Sequence, residues 1–300
     1  MRAEFANAII KHHAITPNQV FLTGDLGFMA LEAVREKFGK FFINTGVAEQ
    51  NMVSVSAGLA SDGFIPWVYS ISSFATLRPY EQLRNDVCHH GLPVKLVGNG
   101  GGYGYGIMGA THHNLEDIGA MRILPGMNVY IPFSGADVEA CVAEMLKDPS
   151  PGYLRLNLAV ELKSGVGVFA PWRKLKDGKK AIVIGTGPVV ANLFEMSDEI
   201  LDDLEIWLVS KFPLADMPHD LKKSLREKKR AITMEEHGAQ GGLYETMAAQ
   251  ILTADVGVTK YEGLFALGYP SGKFGSQKWH QAESGLQGEN LKRRLMEFLK

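Results

Sequence analysis

Short apolar runs alternate with helix-like segments along almost the whole chain, and the alternation is interrupted once. A parallel sheet needs this pattern, because each parallel neighbour is reached through a crossover that is usually a helix. Residues 20–22, 41–43, 67–69, 94–97, 128–131 and 153–156 read as strands. Val138, Cys141, Val142 and Met145 recur at helical spacing, and Ser134 to Asp137 supply N-cap chemistry. Residues 164–172 and 176–180 read as linker and turn. Beyond them, strands are expected at 181–184, 206–209, 231–234 and 264–266, with a helix over 243–252. The predicted class is α/β: two domains, 1–168 and 169–300, each a mostly parallel sheet flanked by helices. The 300 residues suit that division, since single cores stop growing at roughly 250–300 residues.

The remaining composition excludes several classes. Net charge is −2, and Lys and Arg form no stripe, which argues against nucleic acid as a partner. The most basic tract, residues 222–230, precedes a strand-like run and reads as a solvated helix end. Two cysteines, Cys88 and Cys141, are too few for a disulfide scaffold and fit a reducing compartment. No apolar stretch reaches the roughly 18–20 residues that span a bilayer. The first residues lack the apolar core of a signal peptide. These features predict a cytoplasmic protein without a membrane partner.

Two segments carry candidate chemistry. In Asn44-Thr45-Gly46-Val47-Ala48-Glu49-Gln50-Asn51-Met52, a strand and a glycine turn deliver Glu49 to the start of an apolar helix. A carboxyl group there is partly desolvated and can exchange a proton with a buried ring nitrogen, although such a residue alone more often caps a helix. The second segment is Gly109-Ala110-Thr111-His112-His113-Asn114-Leu115-Glu116-Asp117. Adjacent histidines point in different directions, and spaced Cys or His partners are missing, so no metal ligand is assigned. The glycine-rich run 98–106 permits close backbone approach, but no Gly-Lys-Ser/Thr follows as in a P-loop.

Taken together, these segments resemble the transketolase family, C-terminal half. The resemblance covers nearly the full chain and implies a thiamine diphosphate-binding Pyr fold followed by a transketolase C-terminal-like fold. By position it gives Glu49 the hydrogen bond to the aminopyrimidine. It gives Phe74 and Tyr80 to the pyrimidine pocket, and Asp25 and Leu26 to the thiazolium neighbourhood. It gives His112 the substrate carbonyl and hydroxyls, with a weaker claim for His113, where many relatives carry Gln. Residues 153–159 match a family segment in which Arg155 could grip a phosphate or carboxylate. Thr233-Met234-Glu235-Glu236-His237 and Gly241-Gly242-Leu243 resemble a segment that more often covers a subunit contact, and none of its residues is assigned to catalysis.

The departures from the pattern are as informative. No Gly-Asp-Gly followed about thirty residues later by Asn, the family's way of holding Mg²⁺ and the diphosphate, occurs in the chain. The resemblance therefore implies a partner: a second transketolase subunit carrying the diphosphate and Mg²⁺ domain, in an α₂β₂ assembly. Met108 stands where relatives place an Asp that contacts a donor hydroxyl, Gly100 where they place a His, and Phe28 near a phosphate-contacting Ser. Each hydrogen bond lost at a buried polar site costs about 1–3 kcal/mol. The expected substrate is accordingly atypical: an unphosphorylated, deoxy or branched ketose, or a nucleotide-linked sugar. Two other readings are the β subunit of a 2-oxo acid dehydrogenase, which should show Gln-His-Ser in place of Thr111-His112-His113, and a scaffold that has lost activity.

Overall fold

The computed structural model describes residues 1–27, 30–162 and 165–300. Two compact units are formed. The first comprises Met1–Gly101 and Ala120–Ala159, and the second comprises Gly102–Gly119 and Val160–Lys300. The loop that carries His112 and His113 thus folds with the C-terminal unit, although its sequence lies inside the 1–168 stretch.

In the first unit six strands run parallel: β1 (Gln19–Thr23), β2 (Phe42–Asn44), β3 (Ile65–Ile71), β4 (Lys95–Asn99), β5 (Asn128–Tyr130) and β6 (Gly152–Leu156). Their spatial order is β5-β6-β4-β3-β1-β2. In β1 and β6 every residue is buried, and in β3 all but the first. Continuous burial means that both faces of the sheet are covered, which explains why these strands read as unbroken apolar runs. Aromatic side chains from neighbouring strands make much of the core. Phe21 of β1 stacks on Phe42 of β2 at 5.4 Å, and Phe5 of the first helix stacks on Tyr69 of β3 at 6.0 Å. A polar intrusion among these rings is satisfied: Trp67 Nε1 donates to Gln19 Oε1 at 2.9 Å.

The second unit holds a five-stranded sheet in the order Lys260–Leu264, Arg230–Met234, Ala181–Thr186, Leu204–Val209, Trp172–Lys176. All pairs are parallel except the last, which is antiparallel to Leu204–Val209. Trp172–Lys176 corrects the reading of linker up to residue 172 and turn from residue 176. It is a charged, half-covered edge strand, and such a strand shows no apolar run to betray it. The strand expected at 264–266 lies earlier, at Lys260–Leu264, because its polar first half pairs with Arg230–Met234. The expected class, two mostly parallel sheets flanked by helices, is what the chain adopts. Among the described residues no helix is long and apolar enough to cross a membrane.

Candidate active site

In the first unit the candidate residues gather where loops leave the carboxyl ends of the strands, the usual place for ligands in an open α/β sheet. Asp25 and Leu26 follow β1, Glu49 follows β2, Phe74 follows β3, and Gly100 follows β4. Asn44 stitches the first two loops together. Its Oδ1 accepts from the backbone N–H groups of Asp25 and Gly46, both at 3.0 Å, and its Nδ2 donates to Asp25 Oδ1 at 3.1 Å. That pairing holds Asp25 in the left-handed region, at φ 59°, a conformation that Asp tolerates better than most residues. Asp25 and Leu26 line a cavity of about 200 Å³ with Thr23, Asn44 and Arg35. Phe28 lies outside the described residues.

Glu49 is the first residue of the helix Glu49–Ser61, entered through Gly46 at φ 73°. Its side chain is only 3% exposed. Oε1 accepts from Ser70 Oγ at 3.1 Å, and Oε2 accepts from Arg78 at 3.0 Å. The loop that leaves β1 passes close by: a Cβ on Gly24 would stand in ordinary contact with Oε1, at 3.6 Å. A buried carboxylate is tolerated where charge-assisted hydrogen bonds satisfy it, as here. The Arg78 guanidinium also lies 3.8 Å from the centroid of the Phe74 ring. The helix carrying Phe74 ends at Thr76, since Pro79 disfavours helical backbone at the residue before it. Tyr80 donates to the Ala120 carbonyl at 3.1 Å, and burial raises its phenol above the usual range.

Arg155 sits in β6 and is buried, packed over Gly101. Gly100 and Gly101 both donate their backbone N–H to the Leu156 carbonyl, at 2.9 and 3.0 Å, and Asn157 Nδ2 donates to the Gly101 carbonyl at 2.9 Å. The first unit thus collects one constellation at β1–β3 and another at β4 and β6.

The histidine loop is organised by aromatic packing within the second unit. Backbone bonds between Gly102 and Asn114 close its base. Tyr103 is fully buried. Its N–H donates to Glu236 Oε1 at 2.6 Å, and its ring stacks on His280 at 4.8 Å. His113 faces inward. Its Nε2 lies 2.7 Å from the Gly106 carbonyl, which can only accept, so Nε2 carries the proton and Nδ1 accepts from the Tyr269 hydroxyl at 2.9 Å. Burial, reinforced by nearby His280 and His112 and opposed by the Gly106 carbonyl, pushes the His113 imidazole down to about 4. His112 is half-buried, with Nδ1 2.9 Å from Thr111 Oγ1 and its ring 5.8 Å from that of Tyr105. Met108 is 53% exposed on the same loop.

Glu235, Glu236 and His237 are buried. Glu235 accepts from the N–H groups of Leu243 and Tyr244, which open the helix Leu243–Thr253. Glu236 also accepts from Gln277, and Gly119 donates to His237 Nε2 at 3.2 Å. Sequence reasoning gave no role to Arg78, Ser70 or Asn44. A signal existed for Arg78, which lies one helical repeat beyond Phe74.

Residues 1–158 match the family model described as "Transketolase, pyrimidine binding domain". The chain belongs to the transketolase pyrimidine-binding family. Similarity to individual members extends beyond that domain. An apulose-4-phosphate transketolase subunit of Phocaeicola vulgatus is 28% identical over 310 residues, covering 100% of this chain and 97% of that protein. The putative transketolase C-terminal section of Methanocaldococcus jannaschii is 28% identical, covering 100% of this chain and 96% of its own. The 6-deoxy-6-sulfo-D-fructose transketolase subunit SqwH of a Clostridium species is 36% identical over 53% of this chain and 50% of its own. Among solved structures, a split gene transketolase, described as an inactive beta4 tetramer, superposes with a TM-score of 0.82 at 25% identity, covering 99% of this chain and 97% of that one. The family resemblance and the enzyme class read from the two motifs are borne out.

Proposed function

We propose that this chain is one of two polypeptides of a thiamine diphosphate-dependent, transketolase-type enzyme. It would contribute the pyrimidine-binding side of the site and take the diphosphate- and Mg²⁺-holding half from a partner subunit, in an α₂β₂ assembly in the cytoplasm. The observation that carries this reading is the buried Glu49 carboxylate at the carboxyl edge of a parallel sheet, joined through Arg78 to the face of the Phe74 ring. A buried acid and an aromatic face that one flat group can engage together fit an aminopyrimidine: the acid exchanges a proton with a ring nitrogen and the aromatic packs on the ring. The bound cofactor would supply the stabilised carbanion that carries a two-carbon unit from ketose to aldehyde.

The chain's own residues supply the rest. Ser70 holds Glu49 in place, Asp25 and Leu26 present a fixed turn, and Tyr80 is tethered to the backbone at Ala120. His112 is the proton-handling group for substrate hydroxyls, and the neutral, locked His113 beside it fixes the loop. We assign 1–168 as the pyrimidine-binding domain and 169–300 as the C-terminal domain. Met108 cannot accept a useful hydrogen bond and Gly100 offers none from a side chain, which favours an atypical ketose. Two relatives named for apulose 4-phosphate and 6-deoxy-6-sulfo-D-fructose support that direction. Arg155 is the candidate anion contact. A panel of ketose donors, assayed with the reconstituted pair of chains, tests this: efficient turnover of an atypical ketose is expected, and xylulose 5-phosphate used as well as any other donor would contradict it.

A further inference from the structure

The guanidinium of Arg78 engages, at the same time, the two groups assigned to the cofactor ring. One nitrogen stands 3.0 Å from Glu49 Oε2, and its central carbon stands 3.8 Å from the centroid of Phe74. A group meeting both conditions lies on the face of Phe74 turned toward Glu49. A guanidinium is planar and rich in donors, and it stacks on aromatic faces. It imitates an aminopyrimidine, which is also flat and whose ring nitrogen, once protonated, donates to the same carboxylate oxygen.

The two partners of this contact differ in what holds them. Glu49 is 3% exposed and stays fixed through Ser70, whose hydroxyl donates to the other carboxylate oxygen. Arg78 is 45% exposed, so its side chain can swing into water without opening the core. Removing the arginine leaves the carboxylate in position, with one oxygen uncovered.

We propose that Arg78 is a displaceable stand-in for the cofactor's aminopyrimidine, occupying Glu49 and Phe74 until the ring takes its place. The inference rests on the cofactor reading given above. Arg78 is then a competitor that keeps a buried acid compensated while the site waits for its ligand. Cofactor entry requires it to leave, so it sets affinity and association rate.

The test is calorimetric and stopped-flow binding of thiamine diphosphate with Mg²⁺ to this chain assembled with its diphosphate-binding partner. Wild type, Arg78→Ala, Arg78→Gln and Arg78→Lys are compared, with thermal unfolding of each cofactor-free assembly as a check on folding. An ion pair with one exposed partner and a cation–π contact are individually modest, so Arg78→Ala should bind about three- to tenfold tighter, chiefly through faster association. Arg78→Gln, which drops the charge, should follow in the same direction if the alanine variant folds poorly. Arg78→Lys keeps the charge without the planar stack and should fall between. Unchanged or weaker binding by the neutral variants overturns the inference and makes Arg78 a support for Glu49. Saturable binding by the wild type upholds the cofactor reading whatever the variants do, whereas no binding by any form removes that reading and this inference with it.

Discussion

Gly101 lies directly beneath the side chain of Arg155: a Cβ at position 101 would stand 2.7 Å from Nε and 2.8 Å from Cγ. Arg155 is 3% exposed and has no open side into which to retreat. The absence of a side chain at 101 is what lets the arginine pack against the loop that leaves β4. Gly101→Ala should therefore cost about 1–3 kcal/mol, the usual penalty for overpacking a filled core. Chemical denaturation checks this. If Arg155 contacts an anionic group of the substrate, the same variant should also raise KM for that substrate.

Glu235 spans a helix start, with Leu243 N–H 2.7 Å from one oxygen and Tyr244 N–H 2.8 Å from the other. It is fully buried, and both bonds are charge-assisted at the positive end of the helix. Glu235→Gln turns one acceptor into a donor facing a donor. The expected loss is about 1–3 kcal/mol of stability, read as a lower denaturation midpoint. Turnover per folded molecule should be unchanged, and a stable but inactive variant would mean that Glu235 does more than cap a helix.

His113 makes stability depend on pH in a defined direction. Its imidazole, pushed down to about 4 by burial first and by neighbouring histidines second, stays neutral in the folded chain. In the unfolded chain it takes a proton near the ordinary value of about 6.5. The unfolded state thus binds more protons between these values, so the contribution is whole above about 6.5 and is lost as pH falls toward 4. The loss amounts to about 3 kcal/mol across that window. His280, also lowered by burial, adds to it. His113→Gln should flatten the acid side of the stability profile, because Gln can still donate to the Gly106 carbonyl without titrating.

Glu49→Gln tests the chemistry separately from assembly. The amide keeps size and one acceptor, against Ser70 or Arg78, but cannot exchange a proton. Turnover should fall by about 10²- to 10⁴-fold, the range for loss of a general acid–base group. The subunit composition measured by light scattering should not change.

The sheet and the Glu49 turn were legible because their signals are local. Val20 to Leu22 or Tyr153 to Leu156 show as apolar runs, and Glu49 is announced by Gly46 and the helix that follows. Trp172–Lys176 was hidden because an edge strand has only one well-covered side and carries charge. The seating of the histidine loop could not be read at all. Tyr103 meets His280, and His113 meets Tyr269, across more than 150 residues of chain, and no spacing rule links such positions. Arg78 shows the intermediate case. Its helical offset from Phe74 is visible, but its bond to Glu49 depends on how β2 and β3 end, which only the folded sheet determines.

The central claim is that this chain holds one half of a thiamine diphosphate site. Calorimetric titration of thiamine diphosphate with Mg²⁺ tests it most directly, first into this chain alone and then into its mixture with a partner chain bearing Gly-Asp-Gly. Tight, saturable binding only in the mixture is the predicted result. Tight binding by this chain alone would contradict the account by revealing a complete diphosphate site, and no binding in the mixture would contradict the cofactor assignment itself.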